Sequence, residues 1–401
     1  MSNAQSLPDL TGKTICQLVP RLELGGAERS TLEIAEAITQ AGGHALVVSE
    51  GGGLVSDLQA CGGRWINAPI GSKNPLTMRR TATWLRHLIE REDIDLLHAR
   101  SRAPAWVAQW ALKGRQDMPF VTTYHGAYSA RSHLKQRYNA IMVSGDITVA
   151  NSDWTANEIR RQFSVDEAKL VTIWRGANPR FFDPDRLSDT AVMAQRNDWL
   201  SRLGRNETTD IDILFLPARV SSWKGQAVAI DALAAHLRTS ERQAILVLAG
   251  QTSADAEFVR SLEQKIAAHC LEAHVLLTAP SKDMPTALAA ADIVLAPSTR
   301  PEAFGRIAIE AGFMARPVIV PDIGAAEETV EHAVTGYRVA PNDPSALAQA
   351  IGTILAMSLA DRKQLGQRAR ARCQQYFTLD GMKAKTLSVY DKLLNYRDEG
   401  C

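Results

Sequence analysis

Two glutamates lie eight positions apart in the segment RPEAFGRIAIEAG, which predicts a turn followed by a helix. Glu302 precedes the Phe304–Gly305 pair, and Glu310 falls inside the predicted helix. Carboxylates accept hydrogen bonds from sugar hydroxyls, whereas backbone N–H groups at a helix start bind phosphate oxygens. The alternatives are an acid that stabilises the helix N-terminus, for Glu302, and an i,i+4 ion pair with Arg306, for Glu310.

Two cations, a histidine and a glycine pair follow other predicted strands. Arg219 and Lys224 come after the strand DILFLPA and flank a helix start, where cations beside backbone amides suit a diphosphate. His125 follows the strand PFVTTY. Gly25 and Gly26 separate the first strand from the first helix, so the backbone there can approach a phosphate closely. Alternatively, the two cations are solvated loop charges, His125 is a structural histidine, and the glycine pair forms a tight turn between strand and helix.

Apolar runs of strand length alternate with helical patterns along most of the chain, which predicts parallel sheets with helices on both faces. The alternation stops in the Pro/Asn/Asp-rich stretch Arg175–Arg186 and then resumes. We therefore predict Rossmann-like domains over residues 1–178 and 179–375, followed by a helical tail over 376–401. Such folds bind ligands at the carboxyl ends of their strands, and we expect a cleft between the two domains.

The composition favours a cytoplasmic protein without a nucleic-acid partner. The net charge is +1, and the five cysteines are scattered with no CxxC pair. Free thiols in a reducing cytosol fit this pattern better than a disulfide framework or a zinc site. The N-terminus is polar, and no apolar run approaches the length of about 18 residues that a membrane span requires. Any membrane contact is therefore expected to be peripheral.

Taken in order, these motifs resemble those of family-4 retaining glycosyltransferases. PEAFGRIAIEAG resembles the family's E-x7-E region, ARVSSWKG its Arg/Lys pair, LELGGAE its first glycine-rich loop and YHG its acceptor-domain histidine. The likeness runs from Ile15 to about Tyr376, although Ala279, Ala315 and Ala325 stand where the family usually has glycine. It implies the α/β GT-B fold, two Rossmann-like domains facing a central cleft, with C-terminal helices able to cross back to the first domain.

The resemblance also implies roles for the matched residues. Glu310 would bind the donor ribose, and Glu302 with the Phe304–Gly305 backbone would bind the donor sugar. The implied catalytic residues are His125, Arg219, Lys224 and Glu302, and the implied donor-binding residues are Gly25, Gly26, Phe304, Gly305, Arg306 and Glu310. The sugar would be transferred with retention by a front-face mechanism, in which the cations stabilise charge growing on the leaving phosphate.

The same resemblance implies that neither a cofactor nor a metal is needed, because cationic side chains replace the metal in GT-B enzymes. Three DxD patterns could suggest a metal site: DID at 93–95 and 210–212, and DPD at 183–185. Both DID patterns lead into strands, at the end opposite the expected cleft, and DPD lies in the linker. We interpret all three as structural.

A closer likeness concerns the substrates. HARSRAPAW, TTYHGAYSA and LKQRYNAIM resemble a bacterial branch that builds lipopolysaccharide core and includes mannosyltransferases using GDP-mannose and Kdo acceptors. This implies an anionic glycolipid or saccharide acceptor, reached at the cytoplasmic face of the inner membrane. Its carboxylate could meet Arg100, Arg102, Lys135 or Arg137, within a stretch, 71–137, that holds twelve Lys/Arg and five Asp/Glu. The alternatives are solvated arginines or contacts to lipid phosphates.

Other interpretations stay open at this point. The donor could be a UDP-sugar and the acceptor another envelope glycan or exopolysaccharide, or the chain could be a non-catalytic nucleotide-sugar or glycan-binding protein. An NAD-dependent oxidoreductase is poorly supported because there is no GxGxxG pattern. The basic, amphipathic stretch LTMRRTATWLRHLIERE carries Trp84, Leu85, Leu88 and Ile89, which either rest on an anionic membrane surface or pack against the sheet.

Overall fold

The computed structural model describes residues 7–23, 25–115, 117–126, 128, 132–205, 211–250 and 256–398. The chain folds into two compact units. The first is Met1–Arg175 together with Leu379–Cys401, and the second is Gly176–Thr378. The division predicted from the sequence lay at 178/179, with 376–401 as a helical tail and C-terminal helices able to cross back to the first domain. In the structure the first division lies at 175/176, and residues 379–401 belong to the first unit.

The first unit is built on a seven-stranded sheet in which all strands are parallel. Its strands are β1 (Thr14–Leu18), β2 (His44–Ser49), β3 (Arg64–Asn67), β4 (Leu96–Ala99), β5 (Phe120–Tyr124), β6 (Ile147–Ala150) and β7 (Leu170–Thr172), in the order β3-β2-β1-β4-β5-β6-β7. Its helices include α1 (Gly26–Gln40), α2 (Val55–Ala60), α3 (Pro75–Arg91), α4 (Arg102–Ala111), α5 (His133–Asn139) and α6 (Asp153–Gln162). Short 3-10 turns cover Ala140–Val143 and Glu167–Lys169.

The second unit repeats this plan with a six-stranded parallel sheet. Its strands are β8 (Ile211–Pro217), β9 (Gln243–Ala249), β10 (Val275–Thr278), β11 (Ile293–Leu295), β12 (Val318–Pro321) and β13 (Tyr337–Val339), in the order β10-β9-β8-β11-β12-β13. Its helices are α7 (Asp189–Arg202), α8 (Gln226–Thr239), α9 (Ala256–Ala268), α10 (Met284–Ala290), α11 (Arg306–Phe313), α12 (Ala326–Thr329), α13 (Pro344–Ala356) and α14 (Leu359–Tyr376), with a 3-10 turn at Pro184–Arg186.

In each sheet the strand order reverses once: early strands are added on one side of the first strand and later strands on its other side. The reversal lies between β1 and β4 in the first sheet and between β8 and β11 in the second. In a doubly wound sheet, the loops at the carboxyl ends of such a strand pair diverge and leave room for a ligand. The strands themselves are apolar and buried, as in the fully buried run IDILFLP of β8, because helices cover both faces of each sheet. The predicted α/β class with two Rossmann-like domains is confirmed.

The last helix, α15 (Leu379–Asp398), belongs to the first unit because it completes the core on one face of that sheet. Leu387 and Tyr390 are fully buried in a cluster that also contains residues of α1, β1 and β2. Lys383 Nζ lies 2.6 Å from Glu36 Oε2 on α1. The C-terminal helix therefore closes a hydrophobic surface that the first part of the chain leaves open.

The apolar stripe of α3 is also part of the core. Leu85, Leu88 and Ile89 are at most 2% exposed, and Trp84 packs against the same cluster. Of the two interpretations of this stretch, packing against the sheet is confirmed for these residues. Its membrane-facing alternative is wrong for them, because they are already covered by protein.

Candidate functional site

An ion pair marks the switch point of the second sheet. Lys224, in the loop after β8, places its Nζ 2.7 Å from Oε1 of Glu302, in the loop after β11. Ser298 Oγ donates a hydrogen bond to the same carboxylate oxygen. The two loops meet because β8 and β11 are neighbouring parallel strands, whose carboxyl ends lie at one edge of the sheet. Two groups separated by 78 residues in sequence are thus brought into contact.

Close backbone packing holds these loops together. Gly225, the N-cap of α8, has φ +80°, and a Cβ there would lie 2.0 Å from the carbonyl oxygen of Pro297. Thr299 N–H donates to the carbonyl of Trp223 over 2.8 Å. A third loop, after β12, joins them because Ala325 N–H donates to the Glu302 carbonyl over 3.0 Å. The position of Glu302 therefore depends on backbone contacts as well as on its own side chain.

The Lys224 ammonium has a second contact within its own loop. It lies 4.2 Å from the centre of the Trp223 ring, which is the geometry of a cation–π interaction. The side chains of Lys224 and Glu302 are 21% and 26% exposed, so a ligand can reach both.

Arg219, the other predicted cation, is exposed. Within the described part of the chain, no hydrogen bond or ion pair of its guanidinium is found.

Helix α11 begins beside this pair. Its N-cap is Gly305, with φ +77° and no side-chain hydrogen bond to the first amides. Phe304 is 4% exposed and packs edge-on against Phe377, so only its backbone is available to a ligand. Arg306 Nε lies 3.4 Å from Glu310 Oε1, which is the i,i+4 pair that the sequence offered as the alternative role for Glu310. The helix start nevertheless presents uncapped N–H groups, which favour an anion.

The glycine pair of the first unit lies at a similar helix start. Gly25 is the N-cap of α1, in extended backbone and without a side-chain cap, and Gly26 is the first helical residue. A Cβ on Gly26 would meet no atom within 4 Å, whereas one on Gly25 would meet the Glu28 carboxylate. The backbone at Gly26 is therefore open to approach.

His125 follows β5, and its imidazole is held by an arginine that the sequence analysis assigned to the linker. Nη2 of Arg175 donates to Nδ1 of His125 over 2.5 Å. The other ring nitrogen, Nε2, is buried and has no hydrogen-bond partner among the described residues. Burial, followed by the Arg175 and Arg100 charges, holds the pKa of His125 well below its ordinary value. Arg175 lies three residues after the end of β7 (Leu170–Thr172), and this place just after a strand was the signal that could have identified it.

The four predicted acceptor-binding residues lie in different surroundings. Arg100 is 3% exposed, and its Nε donates to Gln17 Oε1 over 3.0 Å. Arg102 lies 4.2 Å from the centre of the Tyr128 ring and donates to Asn139 Oδ1 over 2.8 Å. The other two, Lys135 and Arg137, are exposed on α5. Acceptor binding by any of the four stays a prediction.

Four of the DxD aspartates, Asp95, Asp183, Asp185 and Asp212, contact protein groups. Asp95 Oδ2 accepts the N–H of Thr14 over 2.7 Å, and Asp212 is paired with Arg362 at 3.2 Å. Asp183 and Asp185 both pair with Arg370, at 2.7 and 2.8 Å; Asp210 lies outside the described residues. No group of three or more His, Cys, Asp or Glu within the described ranges could hold a metal ion. In the same ranges, no helix is long and apolar enough to cross a membrane.

Two family models match successive parts of this chain. The model described as Glycosyltransferase Family 4 matches residues 24–181, and the one described as Glycosyl transferases group 1 matches residues 199–372. Among solved structures, the crystal structure of a glycosyltransferase from Rickettsia africae is similar, with 31% identity and a TM-score of 0.85. That similarity covers 95% of this chain and 98% of the Rickettsia chain.

Curated relatives are similar over most of their length. The D-inositol 3-phosphate glycosyltransferase of Xylanimonas cellulosilytica is 29% identical, over 92% of both chains. The phosphatidyl-myo-inositol mannosyltransferase of Mycobacterium leprae is 24% identical, over 82% of this chain and 84% of the relative.

Proposed function

The chain belongs to the family-4 glycosyltransferases of the GT-B fold, and from this premise we propose that it is a retaining hexosyltransferase that uses a nucleotide-diphosphate sugar. The observation that carries the proposal is the contact between Lys224 and Glu302 at the switch point of the second sheet. A cation, a carboxylate and the uncapped start of α11 combine the groups that bind a diphosphate and a sugar.

The roles we propose follow from the charges of these groups. Lys224 and Arg219 neutralise the diphosphate as the bond between sugar and phosphate breaks, together with the amides at Gly305 and Arg306. Glu302 accepts hydrogen bonds from hydroxyls of the transferred sugar, and Glu310 accepts them from the ribose. When the phosphate binds, the Lys224 ammonium exchanges its contact with Glu302 for one with the phosphate, and Glu302 turns to the sugar. Fixed charges of this kind stabilise the developing negative charge in the transition state.

For the substrates, we propose GDP-mannose as donor and an anionic glycolipid, such as Kdo-containing lipopolysaccharide core, as acceptor. Support comes from the motifs of the first unit and from the names of the relatives, one of which is a mannosyltransferase. Both relatives act, by name, on phosphate-bearing inositol acceptors. The exposed cations Lys135 and Arg137 suit an acid in the acceptor. Such an acceptor would be met at the cytoplasmic face of the inner membrane.

We further propose that the transfer needs no metal ion, because Lys224 and Arg219 supply the positive charge. Activity should then be unchanged in EDTA, measured as nucleotide release with donor and acceptor present. A loss of activity in EDTA that Mn²⁺ restores would contradict this proposal.

The first experiment is a thermal-shift panel of GDP, UDP, ADP, dTDP and their sugars, followed by a turnover assay with each stabilising donor. Stabilisation by GDP and GDP-mannose, with turnover, is the expected result. A preference for UDP would keep the transferase and overturn the mannose assignment. If no nucleotide or nucleotide sugar in the panel stabilises the protein, the result would favour a non-catalytic glycan-binding protein.

A further inference from the structure

We propose that Arg175 is a positioning residue that fixes His125 as a hydrogen-bond donor at Nε2, so that His125 binds an acceptor oxygen of a substrate and does not act as a general base. The proposal deepens the proposed function, on which it rests, by assigning the chemistry that His125 presents to its ligand. Nothing in the amino-acid pattern distinguishes a donor histidine from a basic one.

The direction of one hydrogen bond fixes the tautomer of His125. A guanidinium has five N–H donors and no acceptor, so the Nδ1 that Arg175 Nη2 approaches at 2.5 Å must carry a lone pair. A neutral imidazole has one N–H, which must then be on Nε2. The nitrogen left for a ligand is therefore a donor without a free lone pair, and it cannot remove a proton from a substrate.

The arginine is itself held in place from its other side. Arg175 also donates from Nη1 to Ser30 Oγ, and Arg175 and Ser30 are 7% and 0% exposed. Arg100 Nη1 donates to the same Ser30 oxygen over 3.3 Å, and Arg100 is fixed in turn by Gln17. A buried guanidinium with partners on both sides has little freedom to turn away from His125. The tautomer of His125 is consequently set by the fold of the first unit.

The second observation is the state of the other nitrogen. Nε2 of His125 is buried and lacks a partner among the described residues, and an unsatisfied buried donor is costly unless a ligand completes it. The matching ligand atom is an oxygen acceptor: a hydroxyl or ring oxygen of a sugar, or an oxygen of a phosphate or carboxylate. The surrounding charge supports this assignment, because burial and the neighbouring arginines keep the pKa of His125 low and the ring neutral.

The test is ¹⁵N NMR of the full chain labelled at histidine, with the His125 signals assigned by their loss in His125→Gln. In the wild-type protein we expect an unprotonated Nδ1 and a protonated Nε2. Arg175→Lys, which keeps a cationic donor, should preserve this tautomer, and Arg175→Met should shift the ring toward Nδ1–H. Arg100→Met is the matched control, since it removes another buried guanidinium from Ser30 without a hydrogen bond to His125. A protonated Nδ1 in the wild type, or an unchanged tautomer in Arg175→Met, would overturn the proposal.

An activity measurement separates this proposal from the proposed function. With the donor found in the panel, His125→Gln, whose amide supplies an N–H near the Nε2 position, should keep at least about tenfold more kcat/KM than His125→Asn. Equal losses in the two variants would contradict ligand binding through Nε2–H. A wild-type protein that shows the expected tautomer but no turnover would remove the proposed function and leave the tautomer assignment standing.

Discussion

At the scale of the residue, the candidate site of the second unit is defined by opposite charges that compensate each other. Lys224 contacts Glu302 and the Trp223 ring, so its ammonium is positioned before any phosphate arrives. In the proposed mechanism the exchange of Glu302 for the phosphate takes place when the donor binds, so the charge is in place before the bond breaks and needs no reorganisation at the moment of reaction. The sequence located both residues correctly on loops after strands, but it contained no indication that they would contact each other.

Lys224→Ala should therefore lower kcat by about 10²–10³-fold, because the charge that stabilises the leaving phosphate is lost. The variant should stay folded, since Ser298 Oγ still donates to the Glu302 carboxylate and backbone hydrogen bonds still hold the two loops together. The matched control is Lys265→Ala, which breaks another half-buried lysine–carboxylate pair, with Asp231 at 2.8 Å. Steady-state kinetics and circular dichroism of both variants test the prediction, and an unchanged kcat in Lys224→Ala would exclude Lys224 from the site.

His98 should make stability depend on pH. It is fully buried between the Tyr390 and Thr123 hydroxyls, each at 2.6 Å. Burial, followed by the positive charge of the nearby Arg100 and Arg175, holds its pKa well below the ordinary value. Below about pH 6.5, His98 binds a proton in the unfolded chain but not in the folded chain. The free energy of unfolding therefore decreases as the pH is lowered in this range, by up to about 1.4 kcal/mol per pH unit. The free energy of unfolding, measured with urea between about pH 5 and 7, should depend less steeply on pH in His98→Gln than in the wild-type protein. An identical pH dependence in the two proteins would contradict this prediction.

At the scale of the element, two helices of the second unit start at a glycine with positive φ. Gly225 precedes α8 and Gly305 precedes α11, with φ of +80° and +77°. Their surroundings differ, because a Cβ on Gly225 would overlap the Pro297 carbonyl, whereas one on Gly305 would have its nearest contact at 4.0 Å, with Glu302. The first glycine is required by the packing of two loops, and the second mainly by its own backbone conformation.

Gly225→Ala should consequently lower the free energy of unfolding by more than about 3 kcal/mol, from backbone strain and displacement of the Pro297 loop. Gly305→Ala, its matched control at the same type of position, should cost only about 1–2 kcal/mol, the strain of a left-handed alanine. Chemical denaturation of the two variants gives both values. Equal losses would show that the contact with Pro297 does not govern this turn.

At the scale of the whole molecule, the two units differ in how the chain builds them. The second is one continuous stretch, Gly176–Thr378, whereas the first is completed by Leu379–Cys401, more than 200 residues after its last strand. Leu387 and Tyr390 fill a core made by α1, β1 and β2. The first unit therefore reaches its full stability only when the C-terminus of the chain is present.

Leu387→Ala should lower the stability of the first unit by about 2–5 kcal/mol, since Leu387 is fully buried and its truncation leaves a cavity. Native-state hydrogen exchange should speed up in β1 and β2. The control, Leu355→Ala on α13, removes an equally buried leucine from the core of the second unit, and its effect should appear in β8 and β9. Faster exchange in β8 and β9 for Leu387→Ala would contradict this division of the core.

The sequence by itself determined the architecture and the loops that carry the candidate site. Buried parallel strands are continuous apolar runs, and helix starts have local signals, so the positions of Lys224, Glu302 and Gly305 could be predicted from short stretches of chain. Only the tertiary structure decided which side chains meet. The contacts of Arg175 with His125 and of Arg100 with Gln17 join residues 50 and 83 positions apart. The family resemblance implied that C-terminal helices can cross back to the first domain, but which residues of α15 enter its core was decided only by the structure. Such contacts depend on strand order and on the burial it creates, and no local pattern encodes either.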